Sequence, residues 1–360
     1  MFEAWSISIF VGFDFHNVDA LRLKCRKELL TLLYRKLLIF RIYSVLFDGI
    51  KKLPAEYVGM KKELLLQWMA ESQMLEKANV RLNDAAIHVS EWFRKKGFRT
   101  CILKGQGNAL MYPNPYSRTP GDIDIWVKGG DKRVISFVRS ISPHEKACYH
   151  HIEFPSYKGV EVEVHYRPSF LLCFWNNRKL QKYYERVKEE QFSHRVMLGE
   201  QGEIAIPTVE FNLIFQLTHI FSHLMNEGIG LRQLVDYYYV LISDDLLLIR
   251  DRVQKELKEL RLWKFAGGIM YIMQEVFGMP ASRLIVPPNE KYGKFVLNEV
   301  LEAGNFGRHD ARNRFGRSQL GHNLQRVYRD IRLVRYFPAE ALCEPLFRTW
   351  HFFWRLKYKK

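Results

Sequence analysis

The sequence is poor in cysteine and contains no extended apolar run. Its five cysteines lie far apart, form no C-x-x-C pair and are odd in number. This pattern argues against a disulfide framework or a zinc ribbon, and it favours a reducing, cytoplasmic location. The N-terminus lacks the basic segment of a secretory signal. The longest apolar stretch, Leu29 to Phe47, is interrupted by arginine and lysine, so we predict no membrane span.

No excess of negative charge is present either, since the chain carries a formal net charge of +16. A basic protein attracts polyanions. The basic residues are spread along the chain, however, so a nucleic-acid partner is possible but not favoured. The 360 residues are 48% hydrophobic, which is enough for a sizeable core and for two or three structural units.

The most informative stretch is an alternating segment from Asp122 to Val127. Alternation of this kind predicts a half-buried strand, with Ile123, Ile125 and Val127 on one face. Asp122 and Asp124 then share the other face, where two carboxylates repel each other unless a cation neutralises them. Carboxylate oxygens suit Mg²⁺, which leaves much of its shell to water and phosphate. The segment therefore predicts a site for a metal-bound nucleoside triphosphate.

A second alternating strand, Val160 to Tyr166, places Glu161, Glu163 and His165 on one face. A third carboxylate beside an Asp-x-Asp strand is what two-metal phosphoryl transfer requires, because it completes the coordination of one ion and can accept a proton. Only the register of the strand separates the two glutamates. We expect the strand to form a hairpin with the segment that begins at His150.

The order of strand, glycine turn, short helix and Asp-x-Asp strand resembles the active-site core of the polymerase-β-type nucleotidyltransferases. The form L-K-G…Y…R…G-D-I-D closely resembles a family known as uncharacterised nucleotidyltransferases. It is carried here by Leu103, Lys104, Gly105, Tyr112, Arg118, Gly121, Asp122, Ile123 and Asp124. The turn differs from the Gly-Ser or Gly-Gly form that is more common in the superfamily. The family's Glu-x-His pair maps to Glu163 and His165.

The resemblance implies an α+β fold in which helices flank a small mixed sheet. We expect a helical region over residues 1–78, a nucleotidyltransferase core over 79–200, and a helical domain with a basic tail over 201–360. It also implies transfer of a nucleoside monophosphate from an NTP to an unknown hydroxyl acceptor, with Mg²⁺ or Mn²⁺ and with release of pyrophosphate. That acceptor is a small molecule, a sugar, a protein or an RNA end.

The resemblance also assigns roles to individual residues. The catalytic and metal-binding residues are Asp122, Asp124 and Glu163, with Glu161 as the alternative to Glu163. The phosphate-binding residues are Lys104, Gly105 and Gly107. Arg118 neutralises charge on the leaving pyrophosphate, and His165 orients Glu163 or contacts phosphate.

Other histidines lie near these motifs. His150 and His151 are adjacent, and adjacent residues of a strand point in opposite directions, so we expect at most one of them to face the site. His219 and His223 lie four residues apart on a predicted helix that Thr208 caps. No third metal ligand accompanies that pair, so we expect it to be structural or to line the cleft.

Further helices are expected on both sides of the core. We predict separate helices around Leu64–Met74 and Arg81–Lys96, an i,i+4 pair of Arg232 and Asp236, and a basic loop and helix after Gly304.

Two other functions stay open. One is a non-catalytic nucleotide- or RNA-binding module on the same fold, and the other is a partner protein of the toxin–antitoxin kind.

Overall fold

The computed structural model describes residues 42–52, 61–200, 202–303, 312 and 318–358. Most of the predicted Leu29–Phe47 helix, the break predicted at Pro54 and most of the basic loop after Gly304 lie outside these residues. The fold is α+β, as the sequence predicts, with one four-stranded mixed sheet in the described part of the chain. No helix among the described residues is both long and apolar enough to cross a membrane.

The N-terminal part contains helices α1 (Tyr43–Lys51) and α2 (Lys62–Lys95). The two helices predicted around Leu64–Met74 and Arg81–Lys96 are one continuous helix, because neither glycine nor proline interrupts the residues between them. The domain boundary predicted between residues 78 and 79 therefore falls inside α2. One stripe of this helix is buried, and it comprises Leu82, Ala85, Ala86, Val89 and Phe93. A left-handed Gly97, with φ of 81°, follows the helix.

The central part follows the predicted order of elements. It comprises β1 (Thr100–Ile102), α3 (Gln106–Ala109), β2 (Ile123–Val127), α4 (Gly130–Ile141), β3 (His151–Tyr157), β4 (Val160–His165), α5 (Phe174–Ser193), β5 (Arg195–Leu198) and β6 (Gly202–Ala205). The strands of the main sheet are arranged β1-β2-β4-β3. Strands β2 and β4 are parallel, and the other neighbours are antiparallel. The predicted hairpin of β3 and β4 is thus confirmed. The boundary predicted after residue 200 separates β5 from its partner β6.

Strand β2 is buried on both faces, so the prediction of a half-buried strand is wrong. Ile123, Ile125 and Val127 lie in the core beneath α2, as the alternation predicts. On the opposite face, Trp126 packs against Phe192, with 4.7 Å between ring centroids, and against Phe211. Helices after residue 173 cover this second face, and the end of the strand that carries the aspartates lies at a cavity.

The C-terminal part is helical, as predicted. It comprises α6 (Val209–Asn226), α7 (Leu231–Leu241), α8 (Leu246–Glu259), α9 (Trp263–Glu275), α10 (Glu290–Ala303), α11 (Gln319–Val334) and α12 (Pro338–Lys357). Thr208 caps α6 by accepting a hydrogen bond from the backbone N–H of Phe211, which confirms the predicted cap. Helix α6 is buried along most of its length and carries polar side chains to the cavity above the sheet.

We predict that Phe93→Ala destabilises the fold, because this fully buried ring of α2 supports the sheet beneath the site. A substitution of this kind costs about 3–5 kcal/mol of unfolding free energy. Met74→Ala is the control on the same helix, since Met74 is 68% exposed. Urea unfolding followed by circular dichroism measures both, and equal midpoints for the two variants would contradict this packing.

Candidate active site

The residues singled out by the sequence meet at one cavity of about 550 Å³. The edge of the sheet that carries Asp122 and Asp124 forms one wall, and helices α6 and α7 form the opposite wall. Its lining is unusually rich in ionisable groups. Asp122, Asp124 and Glu163 face Lys104 and histidines from both walls.

The three predicted carboxylates are brought together by the parallel pairing of β2 and β4. Asp124 is the direct neighbour of Glu163 in this register, and Asp122 immediately precedes β2. One carboxylate oxygen from each of the three residues lies within 4.8 Å of the others. Glu161 is exposed and does not line the cavity. The position of Glu163, and not that of Glu161, therefore completes the acidic group.

The charges in this group are strongly coupled. The negative charge of Asp124, followed by burial, raises the pKa of Asp122. Burial also acts to raise the pKa of Asp124, but the Lys104 ammonium and a hydrogen bond with His165 outweigh it and hold that pKa below its usual value. Three oxygen donors under mutual repulsion are the ligand set that a hard divalent cation stabilises. The residues therefore fit the predicted Mg²⁺ or Mn²⁺.

The glycine turn brings Lys104 to the carboxylates. The Nζ of Lys104 lies 2.9 Å from Oδ1 of Asp124 and 3.3 Å from Nε2 of His219. Burial lowers the pKa of Lys104, yet the carboxylates, with Asp124 foremost, raise it overall. Gly105 adopts φ 63° and ψ −107°, a conformation that favours glycine, and it lines the cavity. Lys104 and Gly105 thus have the access to the cavity that phosphate binding requires.

Gly107 is placed differently from the other two residues of the predicted phosphate turn. It is buried in α3 and does not line the cavity. A Cβ at this position would lie 3.0 Å from Cγ2 of Ile206, so the absence of a side chain allows the close approach of the chain after β6. Helix α3 has only four residues, so its dipole adds little to anion binding.

Arg118 lines the cavity but is already engaged by a carboxylate. Its Nε and Nη2 each donate a hydrogen bond of 2.8 Å to Asp236, and Tyr112 donates a third of 2.6 Å to the same carboxylate. The predicted pair of Asp236 with Arg232 is therefore not the main contact of Asp236. Arg232 instead reaches the carbonyl oxygens of Thr119 and Pro120. Asp236 is a site residue that the sequence did not predict. A signal was present, because Tyr112 and Arg118 belong to the motif and become buried, and a buried charge requires a charged partner.

His165 connects the carboxylates. Its Nε2 lies 3.0 Å from Oδ1 of Asp124 and 3.4 Å from Oε2 of Glu163. Burial lowers the pKa of His165, but the hydrogen bonds with Asp124 and Glu163 reverse that effect and raise the pKa to about 9. For Glu163, burial acts to raise the pKa and the hydrogen bond with His165 lowers it overall. Glu163 is therefore ionised at neutral pH.

Four more histidines line the cavity. The expectation that only one of His150 and His151 faces the site is wrong, because β3 begins at His151 and His150 lies just before the strand. Burial lowers the pKa of His150, and it lowers that of His151 to about 4. His219 and His223 line the cleft from α6, as expected, with 3.1 Å between their Nε2 atoms.

We predict that Asp236→Asn costs about 3–5 kcal/mol of unfolding free energy at pH 7, because it leaves the buried Arg118 charge uncompensated. Burial acts to raise the pKa of Asp236, but the Arg118 charge lowers it overall from 3.8. Its contribution is thus complete above the unfolded-state pKa and is lost as pH falls through the folded-state pKa. Urea unfolding should therefore show a smaller cost at pH 3 than at pH 7.

The control for this variant is Asp84→Asn, which removes an exposed pair with Lys158. Solvent screens exposed pairs, and they contribute little to stability, so this variant should unfold like the unmodified protein at both pH values. A cost for Asp236→Asn that is independent of pH would contradict the ionic character of its contact with Arg118.

Similarity to known proteins identifies the family of this chain. No curated protein matches the chain. A solved structure, described as an antigenic nucleotidyltransferase-like protein from Paracoccidioides brasiliensis, is similar at 14% identity over 49% of this chain and 89% of that chain, with a TM-score of 0.28. The sequence model of a family described as "Uncharacterised nucleotidyltransferase" matches residues 32–278. This match spans well over half of the chain, and the protein therefore belongs to the uncharacterised nucleotidyltransferase family.

Proposed function

We propose that the protein transfers a nucleoside monophosphate from an NTP to a hydroxyl acceptor and releases pyrophosphate, with Mg²⁺ or Mn²⁺ at its acidic group. The observation that carries this proposal is the convergence of Asp122, Asp124 and Glu163 within 4.8 Å at one end of the cavity. Carboxylates so arranged would hold divalent cations, and these ions would supply positive charge that neutralises the charge developing on the phosphates. Family membership supports the reaction class.

In this proposal Glu163 has two tasks. It is a ligand of the acidic group, and it accepts the proton of the acceptor hydroxyl. Its side chain is 32% exposed, whereas that of Asp124 is 2% exposed. Glu163 is therefore the carboxylate of this strand pair that an acceptor in the cavity can reach. Its lowered pKa keeps it in the ionised form that a base requires.

Lys104 and the glycine turn supply positive charge and close backbone approach. The Lys104 ammonium is held beside Asp124, so it lies close to where a triphosphate would bind if a metal ion occupied the carboxylates. Gly105 lines the same wall, and because it has no side chain, its backbone allows a ligand to approach closely. We propose that these two residues bind phosphate, and that Gly107 acts through the packing of the turn against Ile206.

In this proposal two arginines, Arg118 and Arg232, act near the leaving pyrophosphate. Arg118 is bound to Asp236, and the carbonyl oxygen of Arg118 accepts a hydrogen bond from Asn79, so its buried side chain holds the loop before Asp122 in place. Arg232 lies against Gly121, where an added Cβ would be 3.5 Å from Nη1. We propose that Arg232 brings positive charge next to Asp122 and that Arg118 contributes mainly by positioning this loop.

We predict that Glu163→Gln lowers kcat by at least about 100-fold, since it removes a ligand and the base. Asp124→Asn should reduce turnover to background. Glu161→Gln is the matched control, because it makes the same chemical change two residues away on an exposed side chain. The measurement is pyrophosphate release from each of the four NTPs with a metabolite extract as the acceptor source.

If Glu163→Gln and Glu161→Gln had the same activity as the unmodified protein, the catalytic assignment would be wrong. Nucleotide binding without turnover, unaffected by Asp124→Asn, would instead favour a non-catalytic binding module. Retention of a co-purifying protein in all three variants, without any turnover, would favour a partner-docking role.

We also predict that turnover is lost on treatment with EDTA and returns when Mg²⁺ or Mn²⁺ is added in excess. Asp122→Asn should raise the Mg²⁺ concentration for half-maximal turnover by at least about tenfold, because one oxygen ligand of the metal is weakened. Glu161→Gln should leave that concentration unchanged. Full activity in EDTA would show that the acidic group acts without a cation.

A further inference from the structure

The acidic group shares Glu163 with a second set of ligand atoms on the same sheet. His151 of β3 lies directly opposite His165 of β4 in the antiparallel register. Glu163 lies two residues before His165, on the same face of β4. Nδ1 of His151 is 3.3 Å from Oε2 of Glu163, and Nε2 of His165 is 3.4 Å from that same oxygen. Two imidazoles and one carboxylate thus converge.

These distances match the ligand spacing around a small divalent cation. Bonds of about 2.0–2.2 Å to nitrogen and oxygen in tetrahedral geometry place neighbouring ligand atoms roughly 3.4 Å apart. One ligand atom from each of His151, Glu163 and His165 lies within 4.8 Å of the others. All three belong to paired strands, which hold a site in place better than loops do.

The surroundings of His165 also suit a metal ligand. Its Nδ1 lies 3.3 Å from the carbonyl oxygen of Arg167, which can only accept a hydrogen bond. Nδ1 therefore donates to this carbonyl, and Nε2 faces Glu163. Histidines that bind metals commonly donate their other ring nitrogen in this way. A bound metal cation would replace the proton that Nε2 otherwise donates to the carboxylates, and that proton would be released to solvent. His151 has a further imidazole beside it, since its Nδ1 is 3.1 Å from Nε2 of His150.

The chemistry of this set differs from that of the aspartates. Oxygen ligands alone suit Mg²⁺, whereas imidazole nitrogens suit Zn²⁺, Fe²⁺, Co²⁺ and other transition metals. We propose that His151, Glu163 and His165 form a binding site for a transition-metal dication, next to the Asp122–Asp124 pair. This proposal deepens the proposed function and rests on it, because the shared Glu163 is catalytic only if that function is correct. The binding of the metal is measured separately, without nucleotide.

The placement has a consequence for the proposed reaction. Nε2 of His165 is also 3.0 Å from Oδ1 of Asp124, so a metal held by the histidines would lie beside the carboxylate group. The protein would then use two cations of different preference that share Glu163. Mn²⁺, which accepts both oxygen and nitrogen ligands, would serve both positions.

The test is a titration of the full-length, metal-free protein with Co²⁺ in excess Mg²⁺, followed by visible absorption, whose intensity and position report the coordination geometry and ligand field of Co²⁺. We expect one Co²⁺ per chain, displaced by Zn²⁺ and not by Mg²⁺. His151→Gln and His151→Ala should each raise the Kd for Co²⁺ by at least about tenfold. His151 is partly exposed at the start of β3, and thermal unfolding will identify which variant is folded.

Three controls locate the ion, because one ligand atom of His151 also lies within 4.8 Å of ligand atoms of Cys148 and His150, which form a second possible ligand group. Cys148→Ser should bind Co²⁺ like the unmodified protein, and loss of Co²⁺ in this variant would place the ion at that group and overturn the proposal. His144→Gln removes an exposed histidine distant in sequence from β4 and should bind Co²⁺ like the unmodified protein. Asp122→Asn weakens the carboxylate pair and should retain the Co²⁺ spectrum. If Asp122→Asn lost Co²⁺ while the His151 variants kept it, the ion would belong to the carboxylates and the proposal would be overturned.

Two other results would also overturn it. One is the absence of Co²⁺ binding, and the other is a loss of binding in His223→Gln but not in the His151 variants, which would place the ion at the histidine pair of α6. The two proposals fail separately. A protein that binds Co²⁺ as expected but releases no pyrophosphate would overturn the proposed function alone, and an active protein without Co²⁺ binding would overturn this inference alone.

Discussion

The arrangement of the site depends on the parallel pairing of β2 with β4. This register places Asp124 beside Glu163, and it does so on a sheet whose other face is filled by α2. Because the hydrophobic face must remain buried, neither strand can slip by one residue without turning its carboxylates into the core. The cost of gathering negative charge is offset locally by Lys104 and His165, which both contact Asp124. Apolar packing thus determines the geometry of the carboxylates, and the positive charges of Lys104 and His165 reduce the repulsion among them.

Local pattern predicted the elements of this site well. Alternation in two short segments was enough to predict β2 and β4 and to place Asp124, Glu163 and His165 on the correct faces. The choice between Glu161 and Glu163 was beyond the pattern, since both point the same way. That choice is made by the pairing of β4 with β2, an interaction between segments that sequence periodicity does not report. The prediction that β2 is half-buried is wrong for the same reason. Helices distant in sequence cover its second face, and periodicity within the strand does not report them.

The contacts that bridge the sheet and the C-terminal helices are those the sequence could not predict. Arg118 and Asp236 are 118 residues apart, and the i,i+4 rule directed Asp236 to Arg232 instead. Helical spacing describes neighbours on one helix only. The buried guanidinium of Arg118 pairs with the carboxylate of Asp236, because an unpaired charge in the interior is far more costly than an unpaired charge at the surface. The same competition explains why Arg118, beside the loop that precedes Asp122, is held by Asp236.

The helical layer above the sheet also changes the chemistry of what it covers. By enclosing the carboxylate edge, α6 and α7 lower the local dielectric, and every charge in the cavity interacts more strongly with the others. Burial keeps His150, His151 and His219 neutral, as their lowered pKa values show. Neutral imidazoles retain the electron pairs that bind metals, so the enclosure that strengthens repulsion among the carboxylates also supplies nitrogen ligands beside them. A cavity of this composition is stabilised most by ligands that bring positive charge to the carboxylates, as a divalent metal ion does.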